Sequence, residues 1–128
     1  MRKQTLILSL IFLTIVISGC APSSVQELKS TTGVKQYAYE VEKNYQQIYV
    51  DYKRNLNNCI GWENPGVSQT AKGELYSELG YSEIKFGLTG QVQIYIKMTK
   101  IDTNMTAVKA YNNYENVNLK KILSGICE

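Results

Sequence analysis

Histidine is absent from this 128-residue chain, proline occurs twice, tryptophan once and cysteine three times. Without imidazole the chain lacks the side chain that most often moves protons near neutral pH, and with it the commonest metal ligand. No two cysteines stand at C-x-x-C spacing, so the dithiol redox motif is missing as well. Charge of one sign is also lacking. Fourteen basic side chains stand against 11 acidic ones, and setting aside Arg2 and Lys3 of the N-terminal segment leaves 12 against 11. That balance gives no electrostatic reason to expect a nucleic-acid partner. Gly61, Gly66, Gly73 and Gly80 are too scattered for a phosphate cradle. Glu74, Glu78 and Glu83 are close in sequence, but a glycosidase needs two carboxylates across a cleft, and these read as solvated outward positions. Asp102-Thr103-Asn104 lacks EF-hand spacing and reads as a hairpin turn. No catalytic residue, metal ligand or cofactor is therefore assigned.

What the chain does have begins at its N-terminus. Met1-Arg2-Lys3-Gln4 is a positive region, and Leu6 to Ile17 is almost continuously apolar. Small residues Ser18 and Gly19 follow, directly before Cys20. This is the layout of a secretory signal peptide over residues 1–19. Its apolar run is short of the roughly 20 residues that a membrane-spanning helix needs.

Ile17-Ser18-Gly19-Cys20 resembles the lipobox of bacterial lipoproteins, with Ile17 where Leu is usual. Charge, apolar length, small residues and a junction cysteine coincide within twenty residues. The resemblance implies diacylglycerol on the Cys20 sulfur, cleavage before Cys20 and, in many bacteria, a further acyl chain on the new amine. Two or three chains anchor firmly, since each buried methylene contributes about 0.8 kcal/mol. Ala21 rather than Asp after the cysteine implies, in a diderm cell, the outer membrane with the domain facing the periplasm. In other cells the same anchor implies the outer face of the cytoplasmic membrane.

Export places Cys59 and Cys127 in an oxidising compartment. With Cys20 acylated they are the two left, and two cysteines allow one intramolecular pairing. A Cys59–Cys127 disulfide is expected, worth roughly 4 kcal/mol as an upper figure from loop-closure entropy. The alternative, a reactive thiol, has no histidine to activate it.

Residues 20–33 read as the lipidated cysteine and a flexible polar tether, the alternative being a short helix around Val25–Lys29. A single globular domain is expected over 34–128. Val34–Val41 alternates, with Tyr37, Tyr39 and Val41 on one face, as a half-buried strand does. Asn44 with Gln47 has the form of a capping box. Tyr45, Ile48, Tyr49, Tyr52, Leu56 and Cys59 then make one helical stripe that ends at Gly61. Residues 61–72, punctuated by Gly61, Pro65 and Gly66, read as a loop. A meander follows: a weak strand at 73–79, a better one at 82–88, the clearest at 91–99 and another at 106–111. In the third, Val92, Ile94, Ile96 and Met98 face in and Tyr95 faces out; Ile94 is expected to be the most buried residue. A short helix after Asn112-Asn113 ends at Gly125.

The order β-α-β-β-β-β-α predicts an α+β fold: a two-layer sandwich in which two helices cover an antiparallel sheet of four to five strands. Ten tyrosines stand out. Tyr37, Tyr39, Tyr45, Tyr49 and Tyr52 read as core or core rim. Tyr76, Tyr81, Tyr95, Tyr111 and Tyr114 with Trp62 read either the same way or as a contact surface. Tyr95 and Trp62 are the candidate partner-binding residues.

Three functions fit these features. The first is a lipid-anchored, non-catalytic interaction module that docks on an envelope protein or the cell wall. The second is a binder of a small apolar ligand between helix and sheet, an analogy from fold alone. The third is an envelope enzyme or an inhibitor of one. A tightly filled core favours docking, and an internal cavity above about 300 Å³ favours the ligand. The body also loosely resembles small envelope lipoproteins with a Cys-terminated helix and a Cys near the C-terminus, a likeness that carries no functional residues.

Overall fold

The computed structural model describes residues 21–127, so Cys20 and the leader lie outside the described residues. In chain order the elements are α1 (Val25–Ser30), β1 (Lys35–Val41), α2 (Tyr45–Ile60), β2 (Trp62–Asn64), β3 (Val67–Tyr76), β4 (Tyr81–Leu88), β5 (Ile94–Asp102), β6 (Met105–Asn112) and α3 (Leu119–Leu123). The fold is α+β, as expected. The sheet is fully antiparallel with order β1-β6-β5-β4-β3-β2, a meander from β2 to β6 with β1 added outside β6.

Helix α2 starts where Asn44 caps it, its side chain accepting a hydrogen bond from the Gln46 amide at 2.8 Å. The expected capping box does not close. Gln47 instead donates to Asp51 at 3.0 Å, one turn along the helix. The apolar stripe packs as its spacing predicts: Tyr45, Ile48, Tyr52 and Leu56 are buried, with Tyr49 and Cys59 at the margin. They pack on Ala71, Ile84, Phe86, Ile94, Ile96, Met98, Val108 and Ala110 of the sheet. Ile94 is fully buried, equalled in this core by Ile84, Ile96, Met98 and Leu56. Gly61 ends the helix, its N–H bonded to the carbonyls of Leu56 and Asn57. A Cβ at position 61 would stand 2.6 Å from the Asn57 carbonyl oxygen, so only glycine fits. Gly73 is required from across the interface, because its missing Cβ makes room for the Tyr49 ring.

Three departures from the sequence reading have clear causes. The stretch 61–72 is a hairpin rather than a loop. Asn64 pairs with Val67, and Pro65-Gly66 makes the two-residue turn with Gly66 at φ 86°. Pro followed by a positive-φ Gly is type II turn chemistry, which is uncommon in tight hairpins, so the local signal pointed elsewhere. The sheet accordingly has six strands, and β3 begins at Val67. Second, Val92 does not share the Ile94 face. The chain bends before β5, the Val92 amide donates to Pro22 O at 2.8 Å, and Val92 is buried with Tyr95, Tyr111 and Leu28.

The third departure is the largest. Val25–Ser30 is not a tether but a helix lying on the sheet face opposite α2, which makes a third layer. Ser24 caps it by accepting from the Glu27 amide at 3.1 Å, and the Glu27 carboxylate accepts from Ser23 N at 2.9 Å. That bond to the Ser23 backbone, with one to its hydroxyl, lowers the Glu27 pKa. Leu28 is fully buried. Six residues carrying one Leu and one Val give too little period to read, and burial comes from the sheet beneath.

The antiparallel register sorts the loops into two poles. The upper pole holds the β2–β3 and β4–β5 turns, the start of β1 and the C-terminal end of α2; the lower pole holds the β3–β4 and β5–β6 turns and the start of α2. The expected disulfide is present. Cys59 in the last turn of α2 is bonded to Cys127, stapling the chain after α3 to the upper pole.

Two unfolding measurements test this packing. Leu28→Ala is expected to cost about 2–5 kcal/mol in denaturant unfolding, whereas the exposed Gln26→Ala stays within about 0.5 kcal/mol. Equal behaviour of the two would mean that α1 does not dock. Replacing both Cys59 and Cys127 with Ser is expected to cost about 2–4 kcal/mol, read as a lower urea midpoint with the fold retained at low temperature.

Candidate functional site

A 16-residue helix over a six-stranded sheet cannot cover all of it. Strands lie about 4.8 Å apart, and α2 packs on β3, β4 and β5. The edge strand β1 is left with its inner face beside α2 rather than beneath it. The result is an open groove of about 720 Å³, walled by Tyr39 and Val41 of β1, by Ile48, Asp51 and Tyr52 of α2, and closed at one end by Leu123 and Ser124. Asn55 fixes that end, its amide donating to the Leu123 carbonyl at 2.9 Å.

Two phenols meet in the groove wall. The hydroxyls of Tyr39 and Tyr52 lie 2.9 Å apart. Burial raises both pKa values; the mutual hydrogen bond raises Tyr39 further, and the Asp51 charge adds to the rise at Tyr52. The pair stays neutral through ordinary pH and can offer a bonding site to a ligand in the groove. Asp51 is held by Arg54 at 2.9 Å, the one ion pair among the described residues. Lys43 and Lys120 also border the groove. Its chemistry is mixed: apolar floor, phenolic hydroxyls and charged rim.

The two candidate partner-binding residues separate. Trp62 on β2 is 42% exposed and available. Tyr95 is not: it is 4% exposed, covered by α1. Alternation did place Tyr95 on the outer face, but that face is not solvent there. The Tyr95 hydroxyl donates to a Glu83 carboxylate oxygen at 2.8 Å, and the Lys29 ammonium lies 5.2 Å from its ring and 5.3 Å from that of Tyr111. Burial, then the Glu83 bond, pushes the Tyr95 pKa up. Tyr111 shares this cluster. Tyr114 packs edge-on to Phe86 at 6.5 Å and donates to Gln69 Oε1 at 2.8 Å; burial pushes it up to about 12. At the lower pole Tyr76 and Tyr81 stack at 4.7 Å, with Lys97 4.6 Å over Tyr81. A hydrogen bond to Glu74 pushes Tyr76 up to about 12. The tyrosine set thus divides, with Tyr95, Tyr111 and Tyr114 structural and Tyr76 and Tyr81 at the surface.

Ser82-Glu83-Ile84-Lys85 has the Ser-x-x-Lys spacing of one nucleophile–base motif. On a strand, positions three apart fall on opposite faces. Ser82 is fully buried toward Met98 Sδ at 3.8 Å, while Lys85 is exposed, so the two are not a pair. Cys20 lies outside the described residues, and the bonded Cys59 and Cys127 are structural.

The tyrosines set an alkaline limit. Native pKa values raised above the unfolded value near 10 add stability that is complete below about pH 10 and lost as the pH climbs toward about 12 and beyond, because the unfolded chain releases phenolic protons first. The melting temperature is expected to fall steadily from about pH 10 to about 12. Absorbance of tyrosinate should show Tyr39, Tyr52, Tyr95 and Tyr114 ionising above the range of an exposed phenol and only as the protein unfolds. Ionisation of those four phenols near about 10 in the folded protein would contradict their burial.

Comparison of the chain with protein-family models, with curated proteins and with solved structures finds no match.

Proposed function

We propose that the chain is a lipid-anchored envelope lipoprotein whose domain binds an extended segment of another envelope protein along β1. The supporting observation is the asymmetry of the two sheet edges. Exposed edges invite further strands, and proteins blunt them with short strands, prolines, bulges or covering elements. The β2 edge is only three residues long, and past it the edge of β3 is met by α2, whose Asn57 side chain accepts from the Ala71 amide at 2.7 Å. β1 has seven residues and no proline, pairs in register with β6 throughout, and ends the sheet on its other side. The Lys35 ammonium, which could guard it, is turned to the carbonyls of Tyr114 and Glu115 at 3.3 and 3.1 Å.

Strand addition at such an edge takes affinity from backbone hydrogen bonds and specificity from pockets that receive alternate side chains. The groove beside β1 supplies that pocket, with the Tyr39–Tyr52 hydroxyls as polar contact. A lipid anchor suits the work, since it holds the edge near other envelope proteins without contributing to recognition. The second reading, a small apolar ligand, calls for an internal cavity above about 300 Å³, and the groove is that large but open to solvent. That reading also loses on the charged rim and on a main core filled by fully buried side chains. The third, an envelope enzyme or inhibitor, gains no constellation beyond the phenol pair.

A photo-crosslinking residue at Glu40, exposed on β1, tests the reading in living cells, with one at Gln46 on α2 as the control. Glu40 is expected to capture one discrete envelope polypeptide through a contiguous extended stretch. Ser124→Tyr, which narrows the groove without altering β1, is expected to lower the yield about tenfold, as losing roughly 1.4 kcal/mol of affinity would. Capture from Glu40 no different from Gln46 would discard strand addition.

A further inference from the structure

Apart from Val50 on α2, the exposed large apolar side chains gather toward the two poles. Trp62, Val67 and Ile126 are at the upper pole, 42, 50 and 48% exposed. Leu79 and Ile101 flank the turns of the lower pole, 70 and 50% exposed. Apolar surface at opposite ends does not by itself say what covers either. The chain's point of attachment does.

Ala21 is the first described residue, and it follows Cys20 directly. Pro22 is buried, and its carbonyl accepts from the Val92 amide in the β4–β5 connection at 2.8 Å. The chain is therefore pinned to the upper pole two residues after the cysteine. Two residues span at most about 7 Å. The nine residues of β5 separate the poles by about 30 Å. Acyl chains on Cys20 can thus reach a bilayer lying against the upper pole and cannot bring the lower pole to it. Ser23 and Ser24 border the same cleft as Ser68, Thr89 and Gly90, which places the attachment point at the pole of the β2–β3 turn, on the sheet face opposite to Val67 and Trp62. Trp62 shares a face with Val67 on that hairpin, since the Trp62–Gln69 and Asn64–Val67 pairs alternate in register. Ile126 is held nearby by the Cys59–Cys127 bond.

We infer that the upper pole is a membrane-contact surface: the Trp62–Val67 hairpin, with Ile126, rests in the headgroup region of the bilayer that holds the Cys20 lipid. This rests on the lipid-anchor reading and deepens it. An indole at that depth buries its ring against acyl carbons while its N–H stays among polar headgroups, the reason tryptophan concentrates at membrane interfaces. The contact is apolar, so salt weakens it little. The domain then stands upright, with β1 and its groove running away from the membrane and the lower pole outermost. α1, the short helix in place of a tether, fixes that posture.

Trp62 is the chain's single tryptophan, so fluorescence reports this surface alone. The experiment uses the mature protein purified from its membranes and reconstituted in phosphatidylethanolamine–phosphatidylglycerol vesicles. Its emission is expected to lose most of its intensity to lipids brominated high on the acyl chain and to resist aqueous iodide. In a protein carrying both Trp62→Phe and Leu79→Trp the pattern is expected to reverse, with full iodide access and no bromolipid quenching. Trp62 open to iodide and untouched by bromolipid, in protein that floats with vesicles and carries lipid on Cys20 by mass spectrometry, overturns the contact and leaves the anchor standing. Bromolipid quenching in the double variant would place the lower pole on the membrane and overturn it too. An unmodified Cys20 thiol removes the anchor, and the orientation falls with it.

Discussion

The burial of one helical stripe organises this molecule. Tyr45, Ile48, Tyr52 and Leu56 of α2 lie on the inner face of the meander, and every larger feature follows from where that helix can and cannot reach. A connection from β1 at one edge to β2 at the other must cross the whole sheet. The helix that makes it packs on β3, β4 and β5, where Gly73 admits Tyr49 and where the Asn57 side chain accepts from the Ala71 amide at 2.7 Å. The groove beside β1 is the remainder of that crossing. Its phenol pair and mixed rim are consequences of incomplete cover and need no separate design.

The opposite face shows how a short segment can be held by a sheet rather than by its own propensity. Six residues are too few for a stable isolated helix. α1 persists because Leu28 enters a cluster with Val92, Tyr95 and Tyr111, and because Lys29 lies over two of their rings. Charge fills the rest of that face. Glu83 stands opposite Lys97 in register, and Lys97 opposite Lys109, a row that keeps the uncovered part solvated. The cost of like charges across strands is tolerable where water screens them.

The upper pole concentrates constraints that are distant in sequence. The disulfide, the α2 terminus, the Pro22–Val92 hydrogen bond and the β2–β3 hairpin all meet there. If the acyl chains are attached one residue before Ala21, a covalent constraint of short reach becomes an orientation for the domain as a whole. A protein-binding edge along β1 would then be presented side-on to the envelope space, and the two proposed surfaces would not compete.

Periodicity alone determined much of this protein. The α2 stripe, the inward Ile94, Ile96 and Met98, the Val108–Ala110 face and the α+β class are all local regularities, since a strand or helix shows its buried side every second or every third to fourth residue. The Cys59–Cys127 pairing was legible for another reason: once Cys20 is set aside, two thiols have one partner each. Only the tertiary structure decided what lies against each face. Tyr95 faces outward in its strand, yet a helix from the far N-terminal side of the domain covers it. Val92 leaves its neighbours' face because Pro22 takes its amide. Trp62 sits on a hairpin whose Pro-Gly turn reads locally as a break. Neither the groove nor the free β1 edge is encoded in any one stretch, because the groove is what α2 leaves uncovered and the edge is where the strand order ends. Packing between elements depends on the sum of their lengths and crossing paths, and that sum exists only when the chain is folded.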